Sequence, residues 1–215
     1  DLRVIIVKLA DRLHNMETLG VMPPEKKRRI AIETLEICAP IAHRLGMHTI
    51  YIGLEDLGFK ALYPMRHRVL SQEVERYRGK RQEIIENVQK VLEEACESFD
   101  VPVSAIFGRQ KHLYGIYRKM RQKGSSFSEV MDVIGFRVIT GNVAKCYLTL
   151  GALHRTYKPV PMRFKDYIAI PKANGYQSLH TTLFGPKGAP IEVQVRSLEM
   201  DKVADNGVAA HWIYK

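Results

Sequence analysis

The chain has 215 residues, 46% of them hydrophobic and 26% charged, enough for one or two domains with real cores and too apolar for a disordered segment. A formal charge of +10 calls for anionic partners such as nucleotides, nucleic acid or an acidic membrane surface, and charge alone does not choose among them. No apolar run is long enough to span a bilayer, and three cysteines far apart in sequence (Cys38, Cys96, Cys146) argue against a disulfide framework or a zinc site and for buried free thiols.

The chain opens at Asp1 inside a charged, apolar-periodic stretch without signal-peptide organisation, which reads as a piece of a longer cytoplasmic protein. From Leu2 to about Leu19, Val4, Ile5, Leu9, Leu13 and Met16 recur at helical spacing until Gly20 and Pro23-Pro24 end the pattern. A second helix is predicted from Pro24 to Ala39, with Pro40 breaking or kinking it. Helical patterns resume over Tyr51 to Leu62 and Pro64 to Phe99, the latter with Val69, Val74, Ile84, Ile85, Val88, Val91 and Leu92 as its apolar set. The texture changes near Val101. Strands are predicted at Val101 to Phe107, Val133 to Thr140, Ser178 to Phe184 and Ile191 to Val195, and helices at Lys111 to Lys123, Val143 to Tyr157 and Leu198 to Trp212. The expected fold class is α+β: an all-helical segment, then a mixed β-sheet domain flanked by helices.

The stretch Arg163 to His180 packs cations (Arg163, Lys165, Lys172), amides (Asn174, Gln177), the ring of Tyr176 and His180 into a segment with little helical periodicity and both Pro171 and Gly175. Cations suit phosphates and a tyrosine suits a base, so this reads as a ligand-gripping loop. Composition alone leaves a solvated connection between strands equally open. Within Lys111 to Lys123, Leu113, Ile116, Tyr117 and Met120 form an apolar stripe, while Lys111, Gly115, Arg118, Lys119 and Gln122 share the other side. Arg109, Lys111 and His112 add donors where the helix dipole favours an anion. The bland reading is a basic solvated face.

On the strand Ile191 to Val195, Glu192 and Gln194, with Arg196 just beyond, point away from Ile191, Val193 and Val195. Glu192 and Asp132, at the mouth of the strand Val133 to Thr140, form a pair that could hold Mg²⁺ with phosphate oxygens completing its shell, or could each be salt-bridged to a nearby cation. No G-x-x-x-x-G-K-[ST] loop occurs, so side chains must grip any phosphate. His43, His48, His67, His154 and His211 have no ligand spacing and read as structural or surface.

In this order, Gly108-Arg109-Gln-Lys111-His112, Asp132-Val-Ile-Gly-Phe-Arg137, Arg163-Phe-Lys165-Asp166, Lys172-Ala-Asn174-Gly-Tyr176-Gln177-Ser-Leu-His180, Glu192-Val-Gln194-Val-Arg196 and Gly207-Val-Ala-Ala-His-Trp resemble the synthetase domain of the RelA/SpoT family of guanosine tetra- and pentaphosphate enzymes. Val7-Lys8-Leu-Ala-Asp11-Arg-Leu-His14-Asn15-Met resembles a signature of that family's HD-type hydrolase domain. The resemblance implies a nucleotidyltransferase-like domain over 101–215, a helical linker over 46–100 and a hydrolase-domain remnant over 1–45. It implies transfer of the β,γ-pyrophosphate of ATP to the 3′-hydroxyl of GDP or GTP. Asp132 would hold Mg²⁺, and Glu192 would join the metal site or activate the hydroxyl. Arg109 and Arg137 would sandwich adenine, and Tyr176 would stack on guanine. Lys111, His112, Lys119, Lys165, Lys172, Asn174 and His180 would serve phosphates, sugar or base, with Gly115, Gln177, Gln194 and Arg196 in the same nucleotide-binding set. Gly115 stands where many members have serine, implying one phosphate contact fewer.

The basic form of the motif at Arg163 to Asp166 implies a bifunctional parent, with Mn²⁺ serving only its intact hydrolase domain and ribosome or regulatory-protein contacts made by a further C-terminal region. Asp11 and Asn15 are the implied remnant of the hydrolase site, without the His-Asp dipeptide that would complete it. Strict alternation puts Asp132 and Arg137 on opposite faces, so a shared site needs Asp132 before the regular strand or a bulge at Gly135. Two alternatives remain: a module binding single-stranded RNA, with Tyr176 stacking and lysines on phosphates, and a weak synthetase domain in a mainly hydrolytic enzyme.

Overall fold

Asp1 caps the first helix, its carboxylate accepting from the Arg3 amide at 3.0 Å, and α1 runs Leu2–Glu17. The computed structural model describes residues 1–207 apart from Gln110 and Val133, and only the backbone of Arg78, Lys80, Lys123 and Asp132. Helix α2 (Pro24–Glu33) starts on a proline, whose missing N–H would have no partner in a first turn anyway. It does not stop at Pro40. A π-helical turn over Thr34–Cys38 loosens the ladder and carries the chain into α3 (Ala39–Arg44), so the ring that would break a regular helix is accommodated by the wider turn before it.

Helix α4 (His48–Leu62) closes the first core, with Tyr51 and Leu54 packed against Leu9, Met16, Ala31 and Ala42. Helix α5 (Pro64–Ser98) serves two others: Leu70 and Val74 meet Phe59 of α4, while Val88, Leu92 and Cys96, each one turn on, lie under the sheet. Val69 and Ile84, expected in its apolar set, stay exposed.

The strands β1 (Val103–Gly108), β2 (Ile134–Thr140), β3 (Lys165–Asp166), β4 (Leu179–Phe184) and β5 (Pro190–Ser197) form one mixed sheet in the order β1-β2-β5-β4-β3. Only β2 and β5 run parallel. Helices α6 (Leu113–Lys123) and α7 (Phe127–Asp132) connect β1 to β2, α8 (Val143–Thr156) follows β2, and α9 (Leu198–Asn206) follows β5. The short β3 and α7 are additions to the elements expected from periodicity.

One sheet face is the core, where Phe136, Val138, Leu179, Leu183, Ile191, Val193 and Val195 are fully buried with Leu92, Cys146 and Leu153 of α5 and α8. Each such side chain contributes about 1.5–3 kcal/mol by leaving water. Cys96 and Cys146 are buried free thiols, burial pushing Cys96 up to about 11, whereas Cys38 is half-buried. Gly135 marks no bulge, because the β2–β5 register runs unbroken from Ile134 to Thr140. Asp132 closes α7 ahead of the strand, so strand alternation does not set its face.

Candidate active site on the covered face of the sheet

The second sheet face carries the polar side chains. On β5, Glu192, Gln194 and Arg196 oppose the buried Ile191, Val193 and Val195. Glu192 is registered with Gly135 on β2 and Thr182 on β4, Gln194 with Arg137 and His180, and His180 in turn with Lys165 on β3. The face is not open to solvent as its polarity would lead one to expect. Helix α9 packs on it, His48, Thr49 and Ile52 of α4 line the same space as Arg137 and Glu192, and Arg196 is only 3% exposed.

Two cavities remain beneath that cover. One, of about 550 Å³, is lined by Lys111, His112, Gly115 and Lys119 from the start of α6 together with Thr49 and Ile52 of α4. The other, of about 390 Å³, is lined by Lys165, Lys172, Asn174, Tyr176, His180 and Arg196. Arg109, Arg137, Glu192, His43 and His48 line both, so the cavities meet at one carboxylate, two guanidinium groups and two imidazoles.

Local turn chemistry shapes the second cavity. The Asn174 side chain accepts from the Tyr176 amide at 3.2 Å, the Lys172 and Tyr176 backbones bond across the turn at 3.1 Å, and Gly175 takes φ +78°, a conformation that L side chains rarely adopt. The turn presents Tyr176 between Lys172, 5.1 Å from its ring centroid, and Arg196, at 4.9 Å. Arg196 donates to the Tyr176 hydroxyl at 2.7 Å, leaving the hydroxyl proton for Nε2 of His180 at 2.7 Å. That arrangement needs a neutral imidazole. Burial, reinforced by Arg196 and Lys172, pushes His180 down to about 3. Burial and then Arg109 likewise push His48 down to about 4, and burial with neighbouring Lys119 brings the Lys111 ammonium down to about 8.

Aspartates of α9 hold the two sheet arginines. Asp201 Oδ1 lies 3.1 Å from both Arg137 and Arg196, and Asp205 lies 3.6 Å from Arg137, whose guanidinium also sits 5.7 Å from the Phe107 ring centroid. Glu192 is different. Among the described residues no hydrogen bond or ion pair within 4 Å reaches its carboxylate, although its charge bears on the neighbouring Arg109 and Lys111. Among the described residues no group of three or more His, Cys, Asp or Glu could hold a metal, so a divalent cation at Glu192 would need phosphate oxygens to complete its shell. Asp132 ends α7 three positions before Gly135, the register partner of Glu192; its side chain lies outside the described residues.

Among the described side chains, one residue expected in the synthetase site, Gln177, lies outside both cavities, as do Asp11 and Asn15 of the separate hydrolase remnant. Gln177 donates to the Ile168 carbonyl at 3.2 Å and braces the loop from behind. Asp11 and Asn15, on α1, bond to each other at 2.9 Å. The expected anion at the start of α6 is also the protein's own, because Asp56 of α4 accepts from the Tyr114 amide there at 2.9 Å. Conversely, His43 and His48, read from the sequence as structural or surface, line both cavities. Glu55, Asp56, Asp201 and Asp205 were missed because their importance lies in partners distant in the chain. Their one signal is acid on helices next to basic motifs.

A family model described as a region found in RelA / SpoT proteins matches residues 108–215. The chain belongs to the RelA/SpoT family. A model of an HD domain matches residues 1–48. Over all 215 residues the chain is 55% identical to a protein of Escherichia coli K12 named bifunctional (p)ppGpp synthase/hydrolase SpoT, of which it covers 30%. It is 54% identical to a guanosine-3′,5′-bis(diphosphate) 3′-pyrophosphohydrolase of Vibrio cholerae, again covering 30%. A GTP pyrophosphokinase of Streptomyces coelicolor is 47% identical, with 25% of its length covered. The chain thus spans about a third or less of these curated relatives. The sheet and its helices share their fold with small alarmone synthetase 1 of Bacillus subtilis, solved with its product pppGpp: TM-score 0.52, 23% identity, over 66% of this chain and 81% of that one. No helix among the described residues is long and apolar enough to cross a membrane.

Proposed function

We propose that this RelA/SpoT chain transfers the β,γ-pyrophosphate of ATP to the 3′-hydroxyl of GDP or GTP, and that residues 101–215 are its synthetase domain. The observation that carries the reading is the junction of two cation-lined cavities at Glu192. A transfer between two nucleotides needs two adjoining sites and a reacting centre between them, and needs positioning and charge neutralisation more than a covalent nucleophile. The cavity walled by Lys111, His112 and Lys119 suits the donor triphosphate, with Arg109 and Arg137 planar groups for adenine at its inner edge. The cavity with Tyr176, Lys172 and His180 suits the acceptor, guanine on the ring and the diphosphate among the lysines.

Glu192 sits where the 3′-hydroxyl would meet the β-phosphorus. Its carboxylate takes the hydroxyl proton as the new oxygen–phosphorus bond forms and AMP departs, or orients that hydroxyl beside a metal. Glu192 and Asp132 would hold Mg²⁺, which when bound supplies positive charge to the phosphate oxygens. The cations of α6 and β3 bind and orient phosphates, and the cover of α9 and α4 limits water at the junction. An RNA-binding reading is not favoured, since an unpaired carboxylate at the junction of both cavities would repel a phosphate backbone.

The test is incubation of the chain with ATP labelled in its β-phosphate, GDP and Mg²⁺. Label appearing on a guanosine nucleotide, with AMP formed in equal amount, supports the reading. Label remaining on adenosine nucleotides and inorganic phosphate would refute it.

A further inference from the structure

Two consecutive acids of α4, Glu55 and Asp56, both bond to the start of α6, which carries Lys111, His112 and Lys119 to the donor cavity. Asp56 holds the helix by the Tyr114 amide. Glu55 holds side chains: one carboxylate oxygen lies 2.7 Å from His112 Nε2, and the other accepts from Arg118 at 2.7 Å. Arg118 is fixed on its other side by the Tyr51 hydroxyl at 3.1 Å.

Glu55 is 3% exposed, on a helix whose neighbouring positions are the apolar core residues Leu54 and Phe59. Burying a carboxylate is costly even when paired, and an apolar residue of similar size at such a position is often neutral or stabilising. Stability alone therefore gives weak grounds for an acid here. What the acid does fix is orientation. With Nε2 tied to Glu55, the imidazole lies over Gly115, so closely that a Cβ built there would stand 2.7 Å from the His112 Cε1. His112, Gly115 and Arg118 all line the donor cavity. Gly115 thus leaves room for the imidazole in the one pose that Glu55 dictates.

We propose that Glu55 is a positioning residue for the donor nucleotide: acting through His112 and Arg118, it sets the wall of the triphosphate cavity from the neighbouring helical segment. The inference rests on the assignment of that cavity to ATP.

The experiment is calorimetric titration of the chain and its Glu55→Gln, Glu55→Asp, His112→Ala and Glu55→Gln/His112→Ala variants with α,β-methylene-ATP, and separately with GDP. Glu55→Gln keeps the volume and one acceptor but loses the charge. It should raise the Kd for the ATP analogue about tenfold, as expected when a charge-assisted hydrogen bond is lost, and change the Kd for GDP by less than about twofold. Glu55→Asp should recover part of the loss. In the His112→Ala background, Glu55→Gln should add little, because its main intermediary is gone.

A purely structural role has a different signature, since a destabilised fraction lowers the binding stoichiometry for both nucleotides and leaves both Kd values unchanged. That outcome, or unchanged analogue affinity in Glu55→Gln, overturns the inference while the assignment of the cavity stands. If Glu55→Gln does not fold, the inference is decided by Arg118→Gln, which removes the half-buried partner of Glu55 and should weaken the analogue and not GDP. If the unaltered chain binds GDP and not the ATP analogue, the cavity assignment fails and the inference with it.

Discussion

Arg137 and Asp201 meet at 3.1 Å across the covered face of the sheet, and the same aspartate oxygen is 3.1 Å from Arg196. A single carboxylate on α9 thereby holds two guanidinium groups of neighbouring strands, one of them 3% exposed. Asp201→Asn keeps an acceptor but leaves two buried cations side by side. It should cost about 1–3 kcal/mol, the usual penalty for a buried polar group deprived of its partner. Urea denaturation of the two proteins measures this, and an unchanged midpoint would mean that α9 is not held by these contacts.

Tyr176, proposed to stack on guanine, has a hydroxyl that is already employed. Tyr176→Ala should weaken guanine nucleotide binding by about 1–3 kcal/mol, the value of one stacking contact. Tyr176→Phe keeps the ring but strips Arg196 and His180 of a shared partner, so it should also lose affinity, by about 0.5–1.5 kcal/mol. Calorimetry with GDP distinguishes the two contributions. Wild-type affinity in the alanine variant would return Tyr176 to the role of an ordinary loop residue.

The buried histidines make stability depend on acid. His180 and His48 have folded-state values of about 3 and about 4 against 6.5 for an exposed imidazole, so between those limits the unfolded chain binds protons that the folded chain refuses. By linkage, their contribution is present above pH 6.5 and is lost progressively as pH falls toward about 4 for His48 and about 3 for His180. The denaturation midpoint should drop between pH 7 and pH 5, and His48→Gln should drop less. Equal slopes in both proteins would show that His48 titrates normally.

In the first helix, Asp11 and Asn15 satisfy each other at 2.9 Å. Among the described residues no group of three or more His, Cys, Asp or Glu side chains could hold a metal, and one carboxylate binds Mn²⁺ weakly from water. These 215 residues by themselves are expected not to hydrolyse guanosine tetraphosphate in Mn²⁺. Metal-dependent pyrophosphate release that disappears in Asp11→Ala would contradict this.

Periodicity made most of this fold legible. The stripe Leu113, Ile116, Tyr117 and Met120 does pack, against Phe59 and Val130, and the alternation on β5 divides core from site as read. Helix α7 and strand β3 were not legible because six and two residues are too short to show a period. The interruption expected at Pro40 takes the form of a π-turn over the residues before it, which periodicity does not show. Within the site, residue type and motif identified the cavity walls, but not what holds them. Glu55 lies 57 positions from His112, and a sequence pattern tells which face a residue occupies without telling what it meets there. Gln177 shows the same limit: an amide in a polar loop reads as a ligand group, and its bond to the Ile168 carbonyl is not visible in the pattern.

The central claim is that chemistry occurs at Glu192, where the two cavities join. Glu192→Gln preserves size and removes the charge that would take the hydroxyl proton or hold the metal. The decisive measurement pairs the transfer of β-labelled pyrophosphate from ATP to GDP with calorimetric GDP binding, in the wild-type and Glu192→Gln proteins. Labelled guanosine tetraphosphate should form only with the wild-type chain, while both proteins bind GDP with similar affinity. Transfer at the wild-type rate by Glu192→Gln would remove this carboxylate from the mechanism and contradict the account.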